Sequence, residues 1–334
     1  MSWWSKVLRD RATSWHFAPL ETSAGTERRP IPPDEAYLNA FLTSMHIADV
    51  RVATRKFYGA VTSSFSVSTR AGGSAEFVVV TTPTVLKNID AQNLDRVITV
   101  DKRLLGPVPY RGGGIDLEIG LFSMPAADLL EPYLNLVEDI SKLAGVGLVT
   151  GGVPLVPTVK AAINALLGSQ DNPRLELGVA ATFAEPHTGY YCAVRADRNK
   201  VGLEDISLSR DRRLIHSTDG GEVTEPYLVF ELTCSEQRGD WASIPEVLTS
   251  YQEVRGAAKR GELEGAKQAL ALFGRTVVFC TDLLMQDGKR LRDLVSGEVD
   301  KAFPATVTGG RPGTDMPELS ELLLFSNPPE TAHP

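Results

Sequence analysis

Cysteine is scarce in this chain, at three of 334 positions, and Cys192, Cys234 and Cys280 stand far apart. An odd, dispersed set excludes a disulfide framework and gives no pair the spacing of a zinc site. All three read as small core residues in a reducing compartment. The N-terminus lacks the continuous apolar stretch and small-residue cleavage site of a secretory signal, and no uninterrupted run suits a membrane-spanning helix. A soluble, cytoplasmic protein is therefore expected. Positive charge is also in deficit. A formal charge of -8 and a pI near 5.3 disfavour a nucleic-acid partner, because an acidic surface repels phosphate backbones.

The signatures of familiar chemistry are missing as well. Gly112, Gly113 and Gly114 precede a strand-like run rather than a helix, the reverse of a phosphate loop. None of His16, His46, His187, His216 or His333 sits in a metal-binding pattern, and no GxSxG is present. No cofactor and no metal is expected, and no catalytic residue is assigned. An enzyme remains a third reading, with a site assembled from scattered groups such as His187, His216, Asp219 and Cys192. Asp116 and Glu118 share one wet strand face and read as solvated charges. The arginines from Arg195 to Arg213 are interrupted by Asp197, Glu204, Asp205 and Asp211, which reads as a mixed surface.

What is present is an ordinary core-forming composition, 43% hydrophobic and 23% charged, which excludes wholesale disorder. Its periodicities predict an α+β protein. Residues 34–45 have helical spacing through Ala36, Tyr37, Ala40, Phe41 and Met45. A β-rich section follows. Residues 50–68 and 76–82 form a hairpin around Gly72-Gly73, 96–100 a short strand, and 115–121 the clearest strand, with Ile115, Leu117, Ile119 and Leu121 on one face. Helices are predicted at 128–144, from Leu130, Tyr133, Leu134, Val137 and Ile140, and at 158–167.

The theme then repeats. Strands are expected at 175–183 and 190–195, and 212–217 with 227–234 form a hairpin around Asp219-Gly220-Gly221. Ser243-Ile244-Pro245-Glu246 reads as a capping box opening a helix. A helix at 262–273 closes at Gly274, a short strand follows at 276–280, and a last helix runs over 287–303. The fold class is thus α+β, with two consecutive β-rich then helical halves, mostly antiparallel sheets with packed helices, and internal duplication as one explanation. The expected divisions are a 1–35 N-terminal arm and linker, a 36–168 β-rich half with a helical hairpin, a 169–303 second β-rich half with a helical closing unit, and a 304–334 mobile tail.

Three segments carry apolar residues that a core does not obviously absorb. Trp3, Trp4 and Trp15 lie near Lys6, Arg9 and Arg11, a composition suited to a partner's groove or a membrane interface. Residues 143–168, including Leu148 and Val149, hold a single charge, Lys160, and are broken by glycine and proline. Residues 317–325 (PELSELLLF) place Leu322, Leu323 and Phe325 in an acidic-hydrophobic segment that fits a groove, its own or another protein's. The leading expectation is a non-enzymatic adaptor that recruits protein partners through apolar terminal arms. The second is a membrane-active effector that inserts the 143–168 hairpin. The sequence leaves the oligomeric state open.

Overall fold

Strand β7 (Ile115–Pro125) shows why the sheets form. Ile115, Leu117, Ile119 and Leu121 are at most 1% exposed, while Asp116 between them faces solvent. Period-two alternation gives one dry face and one wet face, and the dry face needs a second sheet to cover it. The computed structural model of the protein describes residues 15–21, 28–47, 51–52, 55–69, 72–80, 98–125, 174–196, 202–304 and 315–325. The predicted helices at 128–144 and 158–167 lie outside them.

Two antiparallel sheets face each other. One has the order β1-β9-β12-β2-β6, from β1 (Trp15–Pro19), β9 (Gly189–Arg195), β12 (Tyr227–Ser235), β2 (Tyr37–His46) and β6 (Ile98–Pro109). The other runs β3-β4-β7-β8, from β3 (Arg51–Val52), β4 (Arg55–Ser68), β7 and β8 (Arg174–Phe183), with β5 (Ser74–Val80) also paired to β4. The β4–β5 hairpin turns at Gly72-Gly73, where Gly72 has φ +81°, a conformation glycine adopts without Cβ strain. Both sheets draw strands from 36–168 and from 169–303, and one core between them joins residues of both stretches. Among the described residues three α-helices follow the strands in sequence, so the chain is α+β.

The helix expected over 34–45 does not form: Tyr37–His46 is strand β2. β2 is buried on both faces, which erases alternation. Its inner face packs Leu38, Ala40 and Leu42, and a register shift near Thr43 then turns Met45 inward as well. The first sheet's outer face is covered by a hairpin of β10 (Ile206–Leu208) and β11 (Leu214–His216), whose Ile206, Leu208 and Leu214 pack on Cys192, Val194, Tyr227 and Val229. β11 therefore pairs with β10, not with β12 as the Asp219-Gly220-Gly221 turn suggested.

Register gives the sandwich two distinct poles. Trp15, His46, Ile98, Arg195 and Tyr227 share one end of the first sheet. Pro125 and Arg174 mark the same end of the second sheet, where Ser123 donates to Glu176 at 2.6 Å and Arg195 reaches across to the Glu176 carbonyl. The helices attach at the opposite pole. Strands β7 and β8 are hydrogen-bonded neighbours, yet the connection between them is the whole of 126–173, leaving from the pole opposite the described helices. Neighbouring antiparallel strands need only a few residues of loop, so 126–173 is an insertion.

Candidate interaction surface on the helical unit

The helical unit comprises α1 (Pro245–Lys259), α2 (Leu263–Phe279) and α3 (Met285–Ala302). Pro245 opens α1 at its first turn, where its missing N–H costs nothing. The expected capping box is absent: Ile244 is the N-cap and makes no side-chain cap. Gly261, at φ +74°, turns the chain into α2. Neither the stop at Gly274 nor the strand at 276–280 forms, because α2 continues through Phe279. Gly274 is buried where α2 meets α3, and a Cβ there would lie 3.1 Å from the Arg292 side chain. Gly288 on α3 is tighter still, with its virtual Cβ 2.3 Å from the Val277 carbonyl oxygen. These glycines permit close helix contact rather than ending a helix, and Ala266, Phe273, Val277, Leu291 and Val295 fill the core that results.

A buried polar seam fixes this unit to the sandwich. The Tyr37 hydroxyl of β2 donates to Asp287 Oδ2 at 2.6 Å and accepts from the Leu284 N–H at 3.0 Å. Asp287 is fully buried, and Arg290 reaches its other oxygen at 3.0 Å. Arg111, just past β6, spans Asp34 and the Leu283 carbonyl. Arg238, just past β12, spans Asp240 and the Asp282 carbonyl. Burial raises the Asp287 and Asp282 carboxyls above their ordinary range, and burial beside Asp287 raises Tyr37. Desolvation favours the neutral form of each acid, so the seam holds its proton more tightly than water would.

The 315–325 segment folds back on the helices as a strap. Met316, Leu319, Leu322 and Phe325 are buried in the helical core. Tyr251 donates to the Pro317 carbonyl at 2.6 Å, and Arg255 holds the Met316 carbonyl and the Glu318 carboxylate. Burial pushes the Tyr251 hydroxyl up to about 12. Leu322 and Phe325, expected as partner contacts, therefore pack into the protein's own core. Leu323 points outward and is 77% exposed. The acidic-apolar pattern is answered by a groove of the same chain, whose cation is Arg255.

A second groove, between α2 and α3 and about 500 Å³ in volume, has apolar walls from Leu270, Ala271, Val278 and Phe279. Around it stand Lys267, Arg275 and Arg292, against one acid, Asp293. Lys267 pairs with Glu264 and Arg292 with Asp293, both at the surface, while Arg275 forms no ion pair among the described residues. Such exposed pairs are worth ~0–1 kcal/mol, so an incoming carboxylate can exchange into them. Phe279 is 68% exposed, and Leu272 on the same helix 55%. Helix α2 is thus apolar toward the bundle and apolar again toward the outside, a composition that suits two burial partners rather than one. The net positive rim stands out on a chain whose overall charge is -8.

The other expected positions do not converge on this surface. Trp3, Trp4, Leu148 and Val149 lie outside the described residues, and Trp15 opens β1 at the far pole. His187 Nδ1 meets the Glu185 carbonyl in the β8–β9 loop. Cys192 is fully buried and its thiol is pushed up to about 12 by burial, the opposite of an activated nucleophile. Cys280 is buried beside Glu246, and both burial and that carboxylate raise it. No group of acids, histidines and cysteines among the described residues has the arrangement of a metal site, and no described helix is long and apolar enough to cross a membrane. The α2 groove escaped sequence reading because half its wall is the continuation of a helix that Gly274 was expected to end. The available signal was Leu270, Ala271, Gly274 and Val278 at helical spacing. No protein-family model, curated protein or solved structure matches the chain.

Proposed function

We propose that this protein is a non-enzymatic interaction protein, an adaptor that recruits a protein partner onto its helical unit. The observation that carries the reading is the α2–α3 groove, with apolar walls and a cationic rim. An amphipathic helix with an acidic polar face fits it, laying its apolar side chains between α2 and α3 and its carboxylates against Lys267, Arg275 and Arg292. The sandwich serves as a rigid base, because the polar seam ties the helices to it and the strap braces the helices themselves. The test compares co-purification by the full-length wild type and by Leu270→Glu, followed by binding of the purified partner to each. Loss of one discrete partner in the variant, with at least about tenfold weaker binding in reconstitution, supports the reading. Identical partner sets for both proteins end it.

A second reading keeps one observation of its own. The apolar stretch 143–168 belongs to the insertion that leaves β7 and returns at β8, at the pole opposite the described helices. A membrane-active effector would present that pole to a bilayer. Dye release from anionic vesicles, comparing wild type with Val149→Asp, separates the two readings. Release by wild type that the variant loses favours the membrane, and its absence favours the adaptor.

A further inference from the structure

Strand β7, which an acidic amphipathic stretch follows in sequence, ends at the pole opposite the described helices and their groove. Residues 128–144 carry Asp128, Glu131, Glu138 and Asp139 against one cation, Lys142, with Leu130, Tyr133, Leu134, Val137 and Ile140 at helical spacing. That is the complement of a groove with apolar walls and Lys267, Arg275 and Arg292 around it. Position 128 is three residues past Pro125, so it lies within ~11 Å of the end of β7. The eleven residues of β7 themselves span ~36 Å, from that pole to the pole that carries the helices. The start of the acidic stretch is therefore tethered at the wrong end to enter its own groove. We infer that the groove of one copy receives the 128–144 segment of a second copy. The inference rests on reading the groove as a docking surface, and it names the occupant.

The contact is heterologous, because the donor surface and the acceptor surface are different parts of the chain. Each bound copy still offers one free groove and one free acidic segment. Assembly then continues head to tail until a ring closes or a filament grows. The rim charges make it salt-sensitive, with carboxylates exchanging for the weak surface partners of Lys267 and Arg292 and meeting Arg275 directly.

The experiment uses the full-length chain in sedimentation velocity from about 1 to about 100 µM, at low salt and at about 0.5 M salt. Wild type is expected to show an average mass that rises with concentration and falls with salt. The groove variant Arg275→Glu and the segment variant Glu131→Lys with Glu138→Lys are each expected to associate at least about tenfold more weakly. Their equimolar mixture is decisive: one intact groove and one intact segment remain, so it gives a 1:1 dimer that grows no further. Circular dichroism confirms that both variants fold, since Arg275 is exposed and makes no ion pair among the described residues. Monomeric wild type at every concentration overturns the proposal, as does a mixture that forms no dimer or variants that associate like wild type. If wild type is monomeric but Leu270→Glu still loses a reconstituted partner, the adaptor reading survives and self-assembly alone falls.

Discussion

Replacing Tyr37 with phenylalanine removes one oxygen from the seam between sandwich and helices. Ring and packing stay, so the cost comes from hydrogen bonding alone. That oxygen donates to the buried Asp287 carboxylate at 2.6 Å and accepts from the Leu284 N–H at 3.0 Å. A hydrogen bond to a charged group contributes ~1.5–3 kcal/mol net, and an orphaned buried N–H costs ~1–3 kcal/mol. Leu284 is fully buried, so water does not replace the lost acceptor. The expected destabilisation is ~3–5 kcal/mol, a large share of the ~5–15 kcal/mol that stabilises a typical domain. The helical core is separate from the sandwich core, so the loss falls first on the helices. Urea unfolding followed by helical circular dichroism and by fluorescence of the buried Trp241 reads it as a lower midpoint. The cycle with Asp287→Asn and the double variant isolates the pair, with an expected coupling above about 1 kcal/mol. A Tyr37→Phe loss below about 1 kcal/mol would refute the assignment of the seam as the joint.

Three further outcomes follow from the same helices. Because Asp287 and Asp282 have raised pKa values in the fold, their contribution is complete below the ordinary carboxylate range near ~4 and is lost as pH rises through the folded values. The wild type should thus gain midpoint relative to Asp287→Asn as pH falls from about 7.5 to about 5, and a shrinking difference counts against the buried-acid account. Gly288→Ala places a methyl 2.3 Å from the Val277 carbonyl, so α2 and α3 must part, at a cost of ~1–3 kcal/mol in thermal or urea unfolding. An unchanged midpoint would mean the contact yields freely. Leu319→Ala should cost ~2–5 kcal/mol and expose the strap to limited proteolysis, whereas Leu323→Ala should be neutral. Equal effects would contradict the strap's orientation.

Sequence periodicity was most reliable where one face of an element is dry and the other wet. The start of β7 and the span of the last helix were legible within a few residues, since their side chains sort by solvent contact. It failed where both faces are buried. β2 lies between the sandwich core and other covering elements, so its apolar residues carry no alternation and imitate a helix. It failed again at Gly274, where glycine answers a neighbouring helix rather than a turn. The candidate surface shared that fate, because its two walls come from α2 and α3 and no single stretch contains both.

The expectation for the tail was half legible. The acidic-apolar alternation of 317–325 announced a segment made for a groove. Only the folded chain shows that Arg255 and Tyr251 provide that groove in cis, burying Leu322 and Phe325 and leaving Leu323 outside. By itself, the sequence determined the α+β class, the strands with one wet face and the scarcity of chemical motifs, because local periodicity and composition encode them. The tertiary structure alone decided which apolar residues are spent on the core and which remain on the surface. That division depends on contacts between residues distant in the chain, such as Tyr37 with Asp287 and α2 with α3, and local pattern does not record them.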